Sequence, residues 1–205
     1  LNVLIAARDC GVRKVLFASS SSVYGDSPTF PKREDMIPSP LSPYAVSKLA
    51  GEYYLKVFSE VYGLKTLSLR YFNVFGPRQN PQSEYAAVIP KFITKILRRE
   101  SPSIYGDGRQ TRDFTYVKDI VQANIRAMES DAQGTFNVAY CRRIDLNELA
   151  NMIMEITGIT VPLIYEPPRT GDVRDSLADI RRAQDAFGYA PEYTVKKGLM
   201  ETIAW

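Results

Sequence analysis

Residues 13–25 read RKVLFASSSSVYG, an apolar run that gives way to four consecutive serines. Arg13 to Ala18 has the length and composition of a buried strand. A loop follows that holds Pro28, Pro31, Pro38, Pro40 and Pro43. Tyr44 to Tyr62 then carries Ala, Leu, Glu, Tyr and Lys at helical spacing and stops at Gly63. Leu64 to Tyr71 (LKTLSLRY) is a second run of buried-strand type. Upstream, Leu1 to Cys10 reads as the end of a helix, with Gly11 where a left-handed residue is wanted. Helix, strand, helix, strand in this order predicts parallel strands joined by crossovers, an α/β fold built on a doubly wound sheet.

Beyond Gly76-Pro77 the loops lengthen and the periodicity predicts shorter helices at Val88–Arg99, Asp119–Glu129, Leu146–Thr157 and Asp179–Phe187. Asp145 and Glu148 have the spacing of a capping pair before an apolar helix. We expect residues 1–74 to belong to the sheet. Residues 75–205 should form mainly a smaller substrate-binding lobe, with some later strands returning to the sheet.

The chain has 205 residues, 45% of them hydrophobic and 24% charged, an ordinary globular composition. Its net charge of +3 is spread without a polybasic run, which disfavours nucleic acid or a membrane surface as partner. No apolar run approaches the roughly 18 residues of a membrane span. Two cysteines far apart, Cys10 and Cys141, suit a reducing cytoplasm. There is no histidine, which removes Ser-His-Asp and Cys-His catalysis and His-based metal sites from this chain, so no metal is expected.

Acid–base chemistry must therefore use other groups. Tyr44 and Lys48 are four apart on a predicted helix and share a face. A lysine ammonium about 4 Å from a phenolate attracts it by roughly 4 kcal/mol at an effective dielectric near 20, so such a pair can serve as a base. The spacing alone decides nothing, because Tyr193 and Lys197 repeat it and read as a surface pair. The serines add weight: they sit at a strand's C-terminal end, where open α/β sheets place ligands. The plain alternative is a polar turn with helix-capping serines. No strand, Gly-rich turn and helix of dinucleotide type is present, since Gly106 and Gly108 lie in a YGDG loop far from such a unit. Either no dinucleotide binds, or the first βαβ units lie outside the sequence; the mid-helix opening at Leu1 favours the second.

With the stretches FASSSSVYG, LSPYAVSK, LRYFNVFGPRQNP, YAAVIPKF, IYGDGRQTRDFTYV and RTGDVRDSLAD in order, the sequence resembles the extended short-chain dehydrogenase/reductase family, specifically its nucleotide-sugar 4-epimerases. The resemblance covers nearly the whole chain. It implies a Rossmann-type fold whose N-terminal Gly-rich part is missing here, NAD as cofactor, a UDP-sugar as substrate, and no activity from this stretch alone. It also implies roles. Tyr44 would take the sugar 4-hydroxyl proton, Lys48 would assist it and hold the nicotinamide ribose, and Ser20 (or, less favoured, Ser21) would hydrogen-bond the same hydroxyl. Tyr71, Phe72 and Val74 would line the nicotinamide. Asn73, Ala87, Val88 and Lys91 would meet the diphosphate or sugar, and Tyr105 the nucleoside. Arg112 and Arg169 would clamp the diphosphate, where the guanidinium fork suits phosphate oxygens, and Asp172 would bind a ribose hydroxyl. For each arginine the plain alternative is a solvated surface charge.

Related dehydratases and decarboxylases carry acids at the positions of Ser21 or Ser22, so the hydroxyls here favour epimerisation. Related epimerases wall the sugar pocket four residues beyond the matching Asp, and a large Tyr there excludes N-acetyl groups. This chain has Ser176, which favours UDP-GlcNAc/UDP-GalNAc, with UDP-Glc/UDP-Gal as further substrates. Ser176 as a local turn cap is the alternative. UDP-glucuronate 4-epimerases, which carry Thr where this chain has Asn73, are the nearest enzymatic rival, and a non-catalytic nucleotide-sugar binder is the rival of another class. The resemblance further implies a homodimer through a four-helix bundle of Leu1–Cys10 and Tyr44–Tyr62. Leu49, Tyr53 and Val57 would form its stripe, unless that stripe is intramolecular core.

Overall fold

The computed structural model describes residues 1–82, 88–168 and 174–205. The first four elements are α1 (Asn2–Asp9), β1 (Lys14–Ser20), α2 (Pro43–Tyr62) and β2 (Lys65–Tyr71), with a 3-10 turn, Ser21–Tyr24, after β1. α2 begins on Ser42, whose hydroxyl accepts from the Ala45 N–H at 3.1 Å, and ends on Gly63 at φ +69°. The chain continues through β3 (Val74–Phe75), α3 (Val88–Leu97), β4 (Ser103–Tyr105), β5 (Thr111–Asp113), β6 (Thr115–Tyr116), α4 (Val117–Glu129) and β7 (Gly134–Val138). It closes with β8 (Arg143–Asp145), α5 (Leu146–Thr157), β9 (Ile164–Glu166), α6 (Arg181–Phe187) and α7 (Val195–Ala204).

β1, β2 and β7 form a parallel sheet with β2 in the middle. The register sets Ser20 beside Tyr71 and Tyr71 beside Val138, so three strand C-termini end in one row. β2 explains why LKTLSLRY looked uniformly buried. Residues 66–70 are all buried, but successive side chains face opposite ways. Leu67 and Leu69 enter the core beneath α4, with Ile120, Ala123, Ala127, Phe136 and Val138. Thr66 and Arg70 face α2, where the Thr66 hydroxyl donates to Leu55 O at 3.0 Å and Arg70 meets Glu52. The other end of β1 is tied down by Lys14, a buried ammonium that donates to Ala127 O (2.6 Å) and Ser130 O (2.9 Å) at the C-terminus of α4. Burial lowers the Lys14 pKa.

The sheet core also takes Ala183 and Phe187 of α6, so packing does not follow position along the chain. A second core gathers Ile89, Phe92 and Ile96 of α3 with Leu149 and Ile153 of α5 and Leu199 of α7. A third, small one joins Leu4 and Ala7 of α1 to Leu55 and Phe58 of α2.

Several boundaries differ from those expected, each for a local reason. α4 begins at Val117, two residues early, and the Asp119 carboxylate accepts from the Glu192 and Tyr193 N–H groups instead of capping its own helix. α6 begins only at Arg181, whose N–H donates to Asp179. α7 was not anticipated. Asp145 does cap α5, accepting from the Glu148 N–H at 2.7 Å. The YGDG loop serves the same helix: Gly108 O accepts from the Leu146 and Asn147 N–H groups. Among the described residues no helix is long and apolar enough to cross a membrane.

Gly51 lets α2 settle on the sheet, since a Cβ there would stand 2.4 Å from the Phe17 ring. Gly51→Ala is expected to cost about 1–3 kcal/mol in urea unfolding, as overpacking does. An unchanged midpoint would mean that the ring yields freely.

Candidate active site

The row of strand ends is where the expected chemistry collects. The Lys48 ammonium donates to Ala18 O at 2.9 Å, binding α2 to β1 two residues before Ser20. It stands 5.4 Å from the centroid of the Tyr44 ring and 5.3 Å from that of Phe17. The shared helix face is therefore realised, and Tyr44 is 48% exposed, open to a ligand. Ser20 caps the 3-10 turn: its oxygen accepts from the Ser22 N–H (3.2 Å) and the Ser22 hydroxyl (2.9 Å). With both lone pairs engaged, the Ser20 hydroxyl keeps its proton as the remaining hydrogen-bonding capacity.

Beneath this cluster lies a buried ion pair. Arg70 Nε and Nη2 donate to the two oxygens of Glu52 at 2.9 and 2.7 Å, and both side chains are buried. The Ser19 hydroxyl donates to the same carboxylate. Burial opposes the Arg70 charge, yet the Glu52 hydrogen bonds hold its pKa above the ordinary value. The guanidinium also stacks 4.7 Å from the Tyr24 ring centroid. Burial pushes the Tyr24 phenol up to about 12, and it donates to Asn137 at 2.7 Å.

A cleft of about 650 Å3 opens beside the second core, a size that suits a nucleotide-sized ligand. Asn73, Val88, Lys91, Tyr105 and Arg112, five of the expected substrate residues, line it together. Arg112 Nη1 is held by the Thr111 and Arg174 carbonyls at 2.9 and 2.8 Å. Asn73 joins the two halves, being two residues past the end of β2 while forming part of the cleft wall. Its backbone takes φ +30°, an uncommon value that asparagine tolerates better than most residues. Its amide donates to Asp113 O (3.2 Å) and to Ser176 Oγ (3.0 Å). Ser176, 8% exposed, also accepts from the Asp113 N–H.

The other expected positions are less direct. The Phe72 ring is fully buried in the sheet core, 6.2 Å from that of Tyr24, so the side chain faces inward. The Tyr71 hydroxyl donates to Asn124 on α4 at 2.9 Å, and burial raises its pKa. Val74, in β3, is partly buried against the sheet core. Ala87, Arg169 and Asp172 lie outside the described residues. On α2, Leu49 packs against the sheet core while Tyr53 and Val57 stay exposed, so the expected stripe divides between core and surface. Sequence reasoning missed Glu52, Arg70 and the Ser22 hydroxyl. The four-residue step from Lys48 to Glu52 is the signal that could have drawn attention to the first.

Comparison with known proteins identifies the family and the fold. Residues 1–139 match the model of the NAD dependent epimerase/dehydratase family. The chain is similar in structure to a UDP-N-acetylglucosamine 4-epimerase from Methanobrevibacter ruminantium M1, solved with UDP-N-acetylmuramic acid, at a TM-score of 0.97 and 47% identity, covering 100% of this chain and 66% of that one. It is similar to a Thermus thermophilus UDP-glucose 4-epimerase solved with NAD, at a TM-score of 0.91 and 36% identity over 99% of this chain and 67% of that one. It is also 40% identical to the UDP-glucose 4-epimerase of Mycolicibacterium smegmatis across 97% of its length. It spans 64% of that relative, less than two thirds.

Asp113, completely buried, shows how the floor of the site responds to acid. Burial raises its pKa to about 6, against opposing hydrogen bonds from the backbone of Ala178 and residues 140–142. Its folded value lies above the unfolded one of about 3.9, so the folded chain binds the proton more tightly. This group's contribution to stability should therefore fall as pH rises from about 4 through 6. Urea unfolding at pH 5 and pH 7 should show Asp113→Asn lacking that slope; parallel pH dependences in both proteins would rule it out.

Proposed function

Since the chain belongs to the NAD-dependent epimerase/dehydratase family, we propose that it forms the catalytic and substrate-binding part of an NAD-dependent 4-epimerase of UDP-hexoses. It favours UDP-GlcNAc/UDP-GalNAc and also acts on UDP-Glc/UDP-Gal. The observation that carries this reading is the Lys48 ammonium, held by Ala18 O beside the half-exposed Tyr44 ring at the C-terminal end of a parallel sheet.

Tyr44 takes the proton of the sugar 4-hydroxyl, and the nearby ammonium stabilises the negative charge on its oxygen. Ser20 donates to the same sugar oxygen, its own acceptor sites being filled by Ser22. The donor set fits NAD: one of three Lys48 N–H groups goes to Ala18 O, and the others suit a ribose diol. Tyr71, Phe72 and Val74 flank the nicotinamide side, with Phe72 contributing backbone because its ring is buried. When bound, the nicotinamide accepts and returns the hydride that carries the sugar carbon through a 4-keto state.

In the cleft they share, Asn73, Val88 and Lys91 meet the diphosphate or sugar, Tyr105 meets the nucleoside and Arg112 clamps the diphosphate. Ala87, Arg169 and Asp172 take the roles that the family resemblance gives them. Ser21 and Ser22 offer no carboxylate for elimination, which favours epimerisation over dehydration. The compact Ser176, drawn onto Asn73, leaves room for an acetamido group. Exposed Val3 on α1 with Tyr53, Val57 and Val61 on α2 support a dimer through these two helices. The free, widely separated cysteines suit a cytoplasmic enzyme.

Full-length protein assayed side by side with UDP-Glc, UDP-GlcNAc and UDP-GlcA tests the reading. Turnover of the first two is expected, whereas turnover of the glucuronate alone would transfer the assignment. Tyr44→Phe should lower turnover at least about a hundredfold while UDP binding persists. Wild-type turnover in that variant would remove Tyr44 from the mechanism. Ser176→Tyr should lose UDP-GlcNAc at least about tenfold more than UDP-Glc, within what one steric contact can discriminate. Equal losses would count against the pocket-wall argument.

A further inference from the structure

Lys48 and Glu52 stand four residues apart on α2, a spacing at which the two side chains meet and pair. They do not pair here. Lys48 donates to Ala18 O, and both oxygens of Glu52 are taken by the fork of Arg70, one of them shared with Ser19. Among the described residues, Glu52 is bonded by Ser19 from β1 and Arg70 from β2, with Lys48 one turn back on its own helix. Tyr24, from the 3-10 turn, covers the far side of the guanidinium. With its phenol bonded to Asn137, Tyr24 is not drawn to Glu52. Arg70 is thus the cation that keeps Glu52 from the lysine one turn away.

We infer that Arg70 is a positioning residue of the active site. By engaging both oxygens of Glu52 it leaves the Lys48 ammonium to Ala18 O, Tyr44 and the cofactor side. The functional part of this inference rests on the epimerase reading; the rivalry between Arg70 and Lys48 for one carboxylate does not. A purely structural ion pair would hold α2 on β2 and leave Lys48 indifferent to the presence of Arg70.

The test uses full-length Arg70→Met, Arg70→Lys and the double variant Arg70→Met with Glu52→Gln. In a crystal structure of Arg70→Met the Lys48 Nζ should leave Ala18 O for Glu52. Its turnover should fall by about a hundredfold, the order that an ångström-scale misplacement costs. KM for the UDP-sugar should stay unchanged. In the double variant no carboxylate competes, so Lys48 should return to Ala18 O and turnover should recover. Replacing both charged partners is also what buried pairs tolerate best. Lys48 unmoved in Arg70→Met, or a double variant as slow as the single one, overturns the proposal. If Arg70→Met does not fold, Arg70→Lys keeps the charge without the fork and should show a partial loss of the same kind. Wild-type turnover in that variant overturns the proposal as well. A wild-type protein that turns over no UDP-sugar would refute the epimerase reading, while the position of Lys48 would still decide the role of Arg70.

Discussion

Two opposite charges closed off from water between α2 and β2 set the terms for the rest of the structure. Arg70 and Glu52 are tolerable inside the protein only because they pair with each other, and stripping one partner from such a pair commonly costs about 3–5 kcal/mol. The helix can therefore neither slide along the sheet nor roll on it without exposing an unpaired charge to an apolar surrounding. Ser19 ends on the same carboxylate, so β1 is drawn into the arrangement. Helix position, strand position and the orientation of the serine turn are thereby one constraint.

The sheet and its crossover helix were legible because periodicity reports them directly. β1, α2 and β2 lie within a residue or two of where apolar runs, helical spacing and Gly63 put them. What periodicity hid was the character of β2. An apolar-looking run turned out to have two faces, Leu67 and Leu69 towards α4 and Thr66 and Arg70 towards α2. The later lobe was harder to read because its caps are remote. Asp119 serves backbone groups some 73 residues away, and a side chain spent on tertiary structure cannot mark a helix start.

The site divides in the same way. Tyr44 and Lys48 share a face by helical geometry alone, so four residues of sequence suffice to see it. Asn73 and Ser176 are 103 residues apart, and family resemblance could place both near the sugar without revealing that they bond to each other. The pairing of Glu52 with Arg70 was hidden for a related reason. A charged residue in a helix ordinarily faces solvent, and nothing local announces that its partner arrives on the next strand. Phe72 is the converse: its motif pointed to the cofactor, while its ring belongs to the core.

Asn73 couples the cleft wall to chain geometry. It occupies the joint between the strand-end cluster and the cleft with a backbone angle that β-branched residues rarely accept. A residue stiff at Cβ, such as Thr, would be strained at the positive φ that Asn73 adopts here. Replacing Asn73 is therefore a matter of remodelling a turn together with its side chain. Substitution at this joint is opposed by torsion as well as by the loss of two hydrogen bonds.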